Sequence, residues 1–338
     1  MNTKSKVTYL IGAGASAQAL PTIKKTIFRD SLADSFKALA TKLSAKYILS
    51  EEKPINGLLS IFISNLNWLS ENTKKFGTPD TFAKFLFLQG SINDLNRLKD
   101  TLSAYFVIEQ FKDNKFDQRT LIFLTSILDQ LLRLPENIKI LTWNYDFQLQ
   151  IAAEVFRKES ITLNRSQFAH TPSLINYFPS FDDRSMKNEY DLIHLNGIAG
   201  SFAYENWRLN YMIDNEKIKK DYEQILAAMN TDKKNKINLL TFAWEKHYLQ
   251  QDALNHAKNA VKNTDVLVVI GYSFPFFNRE VDNEIINEIK SSGKLKIIYF
   301  QDISLTGDFM YNQFEIDKEK VVIKHISEVE QYYIPLEL

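Results

Sequence analysis

VTYLIGAGAS, residues 7–16, decides the fold of this chain because it joins a buried strand to a glycine turn. Its first half is β-branched and apolar, which is typical of a strand buried on both faces of a parallel sheet. The two glycines then let the backbone turn tightly and approach a phosphate. The residues predicted to bind a nucleotide here are Gly12, Ala13, Gly14 and Ser16. The G-x-G-x-x-A pattern is weak by itself, and a plain turn after a buried strand explains the same residues equally well.

Pro21 limits the helix that follows the glycine turn. Because a residue before proline disfavours the helical conformation, a helix that opens at the loop is cut to a turn at Leu20. From residue 22 to residue 49 the apolar spacing is helical and no second strand follows. The acidic residue that a dehydrogenase places about 20 positions on would be Asp30, on a helix rather than at a strand end. These features argue against a dehydrogenase.

Length and composition exclude several other classes. The chain has 338 residues, 45% of them hydrophobic, which predicts a sizeable core and about two structural units. The charges of its 41 basic and 41 acidic residues cancel, so no net charge directs the chain to nucleic acid or to an anionic membrane.

The absence of cysteine excludes disulfides, thiolate nucleophiles and cysteine-ligated zinc. Without a signal peptide or a run of ~20 apolar residues, a cytoplasmic protein is expected.

Helical periodicity fills the chain between the first and second strands. Residues 22–134 read as helical almost throughout, which is too long for a simple crossover between two parallel strands. We therefore predict a helical insertion at residues 31–135. Residues 1–30 and 136–338 are predicted to form one Rossmann-like domain. A further helical segment is predicted within it at residues 207–263, with a polar break near residues 230–238.

The later strands are each predicted to end in small or polar residues. The strands are expected at residues 138–143, 191–195, 266–270 and 295–300, with an edge strand at 321–323. The residues at their carboxyl ends are Asn144 and Asp146, His194 and Asn196, Gly271 and Ser273, and Gln301 and Asp302. In a parallel sheet these ends lie along one edge, where ligands bind. The predicted fold is an α/β Rossmann-like parallel sheet with helices on both faces and a large helical insertion.

Each strand end also has a plain structural explanation. Asn144 is equally suited to cap the following helix. A histidine inside a strand, such as His194, is more often a hydrogen-bonded core residue than a catalyst. The agreement of five strand ends favours a common ligand site.

Three of these runs together resemble the sirtuin family. GAGAS at 12–16, followed by Pro21, is similar to the sirtuin Gly-Ala-Gly-x-Ser loop and its later proline. TWNYD at 142–146 is similar to Thr-x-Asn-x-Asp, and GYS at 271–273 to the late Gly-x-Ser. The runs span nearly the whole chain in the right order. The combination is most similar to bacterial sirtuin-like NADases of anti-phage defence, either the Thoeris effector type or the sirtuin-like partner of a HerA-type ATPase.

The resemblance implies a role for each strand end, with NAD+ as the substrate. Asn144 would orient the ribose and the attacking water, and His194 would take the proton. Asp146 would hold the nicotinamide end. The remaining cofactor contacts would come from the glycine loop, Gly271, Ser273 and Asp302.

One departure concerns the histidine. The family places it immediately before the glycine, whereas here Asn196 precedes Gly197 and His194 lies two positions earlier. Because residues two apart on a strand share a face, we expect His194 to reach the same pocket, with Asn196 as the alternative.

A second departure concerns the reaction. The four-cysteine zinc module of protein-deacylating sirtuins has no counterpart here, so no metal and no deacylase activity are expected. The expected activity is NAD+ hydrolysis to nicotinamide and ADP-ribose. A non-catalytic NAD- or ADP-ribose-binding module and an ADP-ribosyl transferase are the alternatives.

The expected partners are a second copy of the chain, in a homo-oligomer, and a defence protein such as a HerA-type ATPase. Binding to a membrane or directly to nucleic acid is not expected.

Overall fold

The computed structural model describes residues 4–23, 30–48, 57–111, 117–130, 133–158, 175–179, 189–203 and 236–338. Its main element is a seven-stranded sheet in which neighbouring strands are parallel. The strands of this sheet are β1 (Val7–Ile11), β2 (Ile138–Thr142), β3 (Tyr177–Phe178), β4 (Leu192–His194), β7 (Val266–Ile270), β8 (Ile297–Gln301) and β9 (Val322–Ile326). Two further strands, β5 (Gly197–Ala203) and β6 (Lys236–Leu240), form a separate antiparallel pair.

The order of strands across the large sheet is β3-β4-β2-β1-β7-β8-β9. Apart from the two-residue edge strand β3, this is the 3-2-1-4-5-6 order of a Rossmann-type doubly wound sheet. The chain moves outward from β1 on one side, returns to pair β7 with β1, and moves outward on the other side. The direction of winding therefore reverses between β1 and β7, and the predicted Rossmann-like class is confirmed.

Helices cover both faces of this sheet. The helices that do so are α5 (Gln118–Ile127), α6 (Gln148–Lys158), α7 (Tyr248–Val261), α8 (Arg279–Ser291) and α9 (Phe309–Gln313), whereas α1 (Leu32–Ile48), α2 (Gly57–Phe76), α3 (Pro79–Leu88) and α4 (Ile92–Phe111) pack elsewhere. Alternate strand residues point to opposite faces: Tyr9 packs with α5 and α6, whereas Leu10 packs with α7, α8 and α9. All five residues of β1 are buried, as expected for a central parallel strand.

Helices α1 to α4 build a core of their own. Phe36, Leu66 and Leu98 are fully buried among them, and Leu239 of β6 joins the same cluster. Helix α4 packs on the β5–β6 pair rather than on the large sheet. Helix α5 differs, because Phe123 packs against Tyr9 of β1 with ring centroids 4.9 Å apart. The last helix of the predicted insertion at 31–135 thus belongs to the layer that covers the large sheet.

The predicted helical segment at 207–263, with its polar break near residues 230–238, is wrong at residues 239–240, which belong to β6. Pairing with β5, far away in sequence, satisfies the backbone of this short segment and overrides its local pattern. Helix α7 lies within the same prediction, and residues 204–235 lie outside the described residues. The predicted edge strand at 321–323 is confirmed as β9, which pairs in parallel with β8.

Candidate functional site

The carboxyl ends of β1, β2 and β4 finish level with one another. Ile11 pairs with Thr142, and Thr142 pairs with His194. Because the strands are parallel and in this register, the loops that follow β1 and β2 leave the sheet beside His194. The residues brought together are Ser16, Asn144, Asp146 and His194, four of the residues predicted from sequence.

Asn144 and Asp146 are joined through Ser16. The Asn144 side-chain amide donates to Gly12 O at 3.0 Å and to Ser16 Oγ at 3.1 Å. Ser16 Oγ in turn donates to Asp146 Oδ2 at 2.7 Å. This chain of hydrogen bonds ties the loop after β1 to the loop after β2.

Asp146 is a buried carboxyl without a cationic partner in direct contact among the described residues. The backbone amide of Gln148 donates to its Oδ1 at 3.1 Å, and Ser16 occupies its Oδ2. Burial raises the pKa of Asp146 to about 6, although these hydrogen bonds favour the charged form. Asp146 therefore changes its charge close to neutral pH.

His194 is 1% exposed at the end of β4. Its Nδ1 lies 3.0 Å from the backbone oxygen of Asn144, and its Nε2 lies 2.8 Å from Nε2 of Gln150. Burial lowers the pKa of His194 to about 4. The ring is therefore neutral at pH 7 and both of its nitrogens are hydrogen-bonded.

A small cavity lies between these side chains. Its polar lining residues include Ser16, Asn144, Asp146, Gln150 and His194. The space open to the centre of a water molecule is about 10 Å³, which is room for about one water. An amide, a carboxyl and a neutral imidazole therefore line a space of about the size of one water.

The glycine loop is shaped by close packing at the switch point. A Cβ atom on Gly14 would lie 2.8 Å from Gly271 Cα, and one on Gly12 would lie 2.6 Å from Gly271 O. Gly271 itself has φ +57°, a conformation that favours glycine. These three glycines let the loops after β1 and β7 pack against each other.

The amides of the glycine loop are largely used within the protein. Those of Gly12, Gly14 and Ala15 donate to the carbonyl oxygens of Ile270, Gly271 and Gly12. Ala13 is exposed and Ser16 is buried. Of the predicted phosphate-binding residues, Ser16 is the one that faces the cavity.

Besides Gly12, Ala13, Gly14 and Gly271, three predicted residues do not line this cavity. Asn196 follows the end of β4, and the chain has turned there, so Asn196 does not share a strand face with His194. Its side-chain Oδ1 is buried and has no hydrogen-bond partner among the described residues. Ser273 is exposed after β7, and Asp302 Oδ1 accepts from the amides of Ser304 and Leu305 after β8.

A buried ion pair between Arg119 and Asp117, which the sequence did not predict, contacts the backbone of the glycine loop. Arg119 of α5 donates to Ala15 O at 2.9 Å and to Asp117 Oδ2 at 2.6 Å. Tyr332, near the C-terminus, donates to the same carbonyl of Ala15 at 2.6 Å. Asp117 also caps α5 by accepting from the Arg119 amide, and an acidic residue before a helix is the signal that points to this cap. No local pattern links these residues to the loop.

The fold and the site define a doubly wound α/β protein with a water-sized polar cavity at the carboxyl end of its sheet. Within the ranges given above, no helix is long and apolar enough to cross a membrane. In the same ranges, no group of three or more histidine, cysteine, aspartate or glutamate side chains is placed to hold a metal ion.

Comparison with known proteins finds no matching family model and no match among curated proteins. A search of solved structures finds similarity to a structure described as "The Structural basis of Sirtuin Substrate Affinity". The two chains are 12% identical, with 97% of this chain and 90% of that chain covered and a TM-score of 0.39.

Proposed function

We propose that this protein is an NAD+ glycohydrolase, which cleaves NAD+ to nicotinamide and ADP-ribose. The observation that carries the proposal is the cavity bounded by Asn144, Asp146 and His194, with room for about one water. It lies at the carboxyl edge of a doubly wound sheet, where such folds bind nucleotides. The sirtuin-like runs at 12–16, 142–146 and 271–273 are the reason for choosing NAD+.

The reaction asks little of the protein. Nicotinamide leaves NAD+ as a neutral molecule, so its departure needs no strong general acid. The protein must hold the ribose, tolerate positive charge on it, and deliver water to the anomeric carbon. A cavity of this size is suited to the water, with the sugar bound beside it.

Asp146 and His194 are the candidate bases on the cavity wall, and both nitrogens of His194 are already hydrogen-bonded. A base works best when its pKa is near the working pH. The pKa of Asp146 is raised to about 6 by burial, whereas that of His194 is lowered to about 4. We therefore assign the proton to Asp146, and we assign to His194 the task of holding the backbone of Asn144.

A non-catalytic module that binds NAD or ADP-ribose is the second candidate. It is favoured by the burial of His194, whose two nitrogens are both occupied. Incubating the purified chain with NAD+ and separating the products by chromatography distinguishes the two. Release of nicotinamide supports the hydrolase, and binding of NAD+ without release supports the module.

We further propose that the enzyme acts in the cytoplasm in anti-phage defence, either as a homo-oligomer or with a HerA-type ATPase. The helical cluster α1–α4 exposes large apolar side chains, among them Phe87, Leu88 and Ile92. Such side chains are suited to a contact with a second copy. Light scattering of the wild type and of Leu88→Glu tests the homo-oligomer. The charged side chain should disrupt the contact, so the variant is expected to have a lower mass in solution than the wild-type oligomer.

A further inference from the structure

Gln150, in the first turn of α6, extends the site beyond the residues discussed so far. Its amide nitrogen is 2.8 Å from His194 Nε2, and His194 Nδ1 is 3.0 Å from Asn144 O. Gln150 also lines the cavity that Asn144 and Asp146 border.

These two distances decide which atoms carry protons. A carbonyl oxygen only accepts, so His194 Nδ1 must carry a hydrogen and donate it to Asn144 O. The neutral ring then has a lone pair at Nε2, which accepts from the amide nitrogen of Gln150. The tautomer of His194 and the orientation of the Gln150 amide are thereby set together.

This orientation leaves the other end of the amide without a donor. Gln150 Oε1 is buried and has no hydrogen-bond partner among the described residues. Buried amide oxygens in native proteins nearly always accept a hydrogen bond from protein or water. Since the adjoining cavity has room for about one water, a water hydroxyl is the donor of the right size.

We propose that Gln150 Oε1 binds the water molecule that attacks NAD+, a role that rests on the proposed hydrolase. One hydrogen of the water points to Gln150 Oε1 and the other to the Asp146 carboxylate, which directs the oxygen lone pair to the anomeric carbon. The bond from water oxygen to that carbon forms while the carbon–nitrogen bond to nicotinamide breaks. The bonding electron pair leaves with nicotinamide, and the proton goes to Asp146.

The test compares Gln150→Met with the wild type in steady-state NAD+ cleavage. Methionine keeps the length of the side chain but removes both polar groups. We expect kcat to fall by about 10- to 100-fold, because a misplaced reactant costs a rate factor of this order. KM and the calorimetric Kd for NAD+ should stay within twofold. Gln251→Met, on the exposed face of α7, is the matched control and should leave kcat unchanged.

Other results of the same measurements would contradict the proposed role of Gln150 or the proposed hydrolase activity. A raised Kd with unchanged kcat would mean that a ribose hydroxyl, rather than water, is the donor, and would overturn the proposal. Unchanged kcat and Kd would overturn it as well. A wild type that binds NAD+ but releases no nicotinamide would remove the proposed function and this inference together.

Two further measurements cover a Gln150→Met protein that does not fold. Gln150→Asn keeps the amide but withdraws its oxygen by one methylene, so it should lose at least fivefold in kcat at unchanged Kd. The ¹⁵N spectrum of wild-type His194 should show a protonated Nδ1 and an unprotonated Nε2. The opposite tautomer, or full activity of Gln150→Asn, would overturn the proposal.

Discussion

Asn144 donates a hydrogen bond to the hydroxyl of Ser16 at 3.1 Å, although 128 positions separate them in sequence. Ser16 Oγ in turn donates a hydrogen bond to Asp146 Oδ2 at 2.7 Å. These hydrogen bonds join the loop after β1 to the loop after β2, so a change in either loop moves the groups that line the cavity. The site therefore responds as a unit, and single substitutions are expected to show coupled effects.

Asn144→Ala should nearly abolish nicotinamide release while most NAD+ binding remains. If Asn144 acts like other positioned polar donors, the loss is about 2–4 kcal/mol of transition-state stabilisation. Product chromatography measures the rate, and calorimetry measures binding. Asn259→Ala on the exposed face of α7 is the matched control. Full turnover in both variants would falsify the assigned role of Asn144.

Gly14→Ala should destabilise the fold as well as weaken NAD+ binding. The added methyl would lie 2.8 Å from Gly271 Cα, and overpacking of this kind costs about 1–3 kcal/mol. Chemical denaturation of both proteins measures the loss. Gly57→Ala, which meets no atom within 4 Å, should leave the free energy of unfolding unchanged or slightly increased. Equal stability of the two variants would contradict the packing role of Gly14.

Asp146 should give the activity a pH limb near 6. Its pKa is raised by burial from 3.8 to about 6 in the folded state, so the folded protein holds this proton more tightly than the unfolded chain. The contribution of Asp146 to stability therefore falls as pH rises from about 4 to 6, by on the order of 2–3 kcal/mol. Asp146→Asn should remove both the activity limb and this change in stability. Denaturation and rate measurements across pH 4–8 test it, and an unchanged profile would contradict the assignment.

The contribution of His194 to stability should rise with pH, opposite to that of Asp146, over a similar pH range. Burial lowers its pKa from 6.5 to about 4, so the unfolded chain binds the proton more readily than the folded protein. Stability from His194 is therefore complete above pH 6.5 and is lost as pH falls toward 4. In His194→Gln this acid-side loss should be smaller, as measured by thermal unfolding against pH. If the variant instead loses stability in acid as steeply as the wild type, His194 is not the buried neutral group described here.

Arg119→Met should weaken the fold strongly through the glycine loop. The change leaves the buried Asp117 carboxylate without its ion-pair partner and removes one of the two hydrogen bonds to the carbonyl of Ala15, the other being that of Tyr332. Breaking such a buried pair costs about 3–5 kcal/mol. Arg133→Met removes an exposed pair with Asp129 and should cost at most about 1 kcal/mol. Denaturant titration of both variants provides the comparison. Similar losses in the two would mean that the Arg119 pair contributes no more than a surface contact.

The sequence by itself determined the parallel sheet and the identity of most residues at its carboxyl edge. Strands such as β1 and β7 are short, apolar and bounded by glycine, so their hydrophobic pattern alone predicts burial on both faces. The same pattern placed Asn144, Asp146 and His194 at strand ends, because a strand end is a local feature.

Only the tertiary structure decided how those residues are used. Strand β6 forms because β5 supplies its hydrogen bonds, and His194 separates from Asn196 because the chain turns after β4. The contacts of Arg119 with the glycine loop and of Gln150 with His194 join segments far apart in the chain. Such contacts depend on packing between segments that are distant in sequence. The same packing buries Asp146 and His194 and moves their pKa values in opposite directions. Local sequence patterns carry no information about packing of this kind.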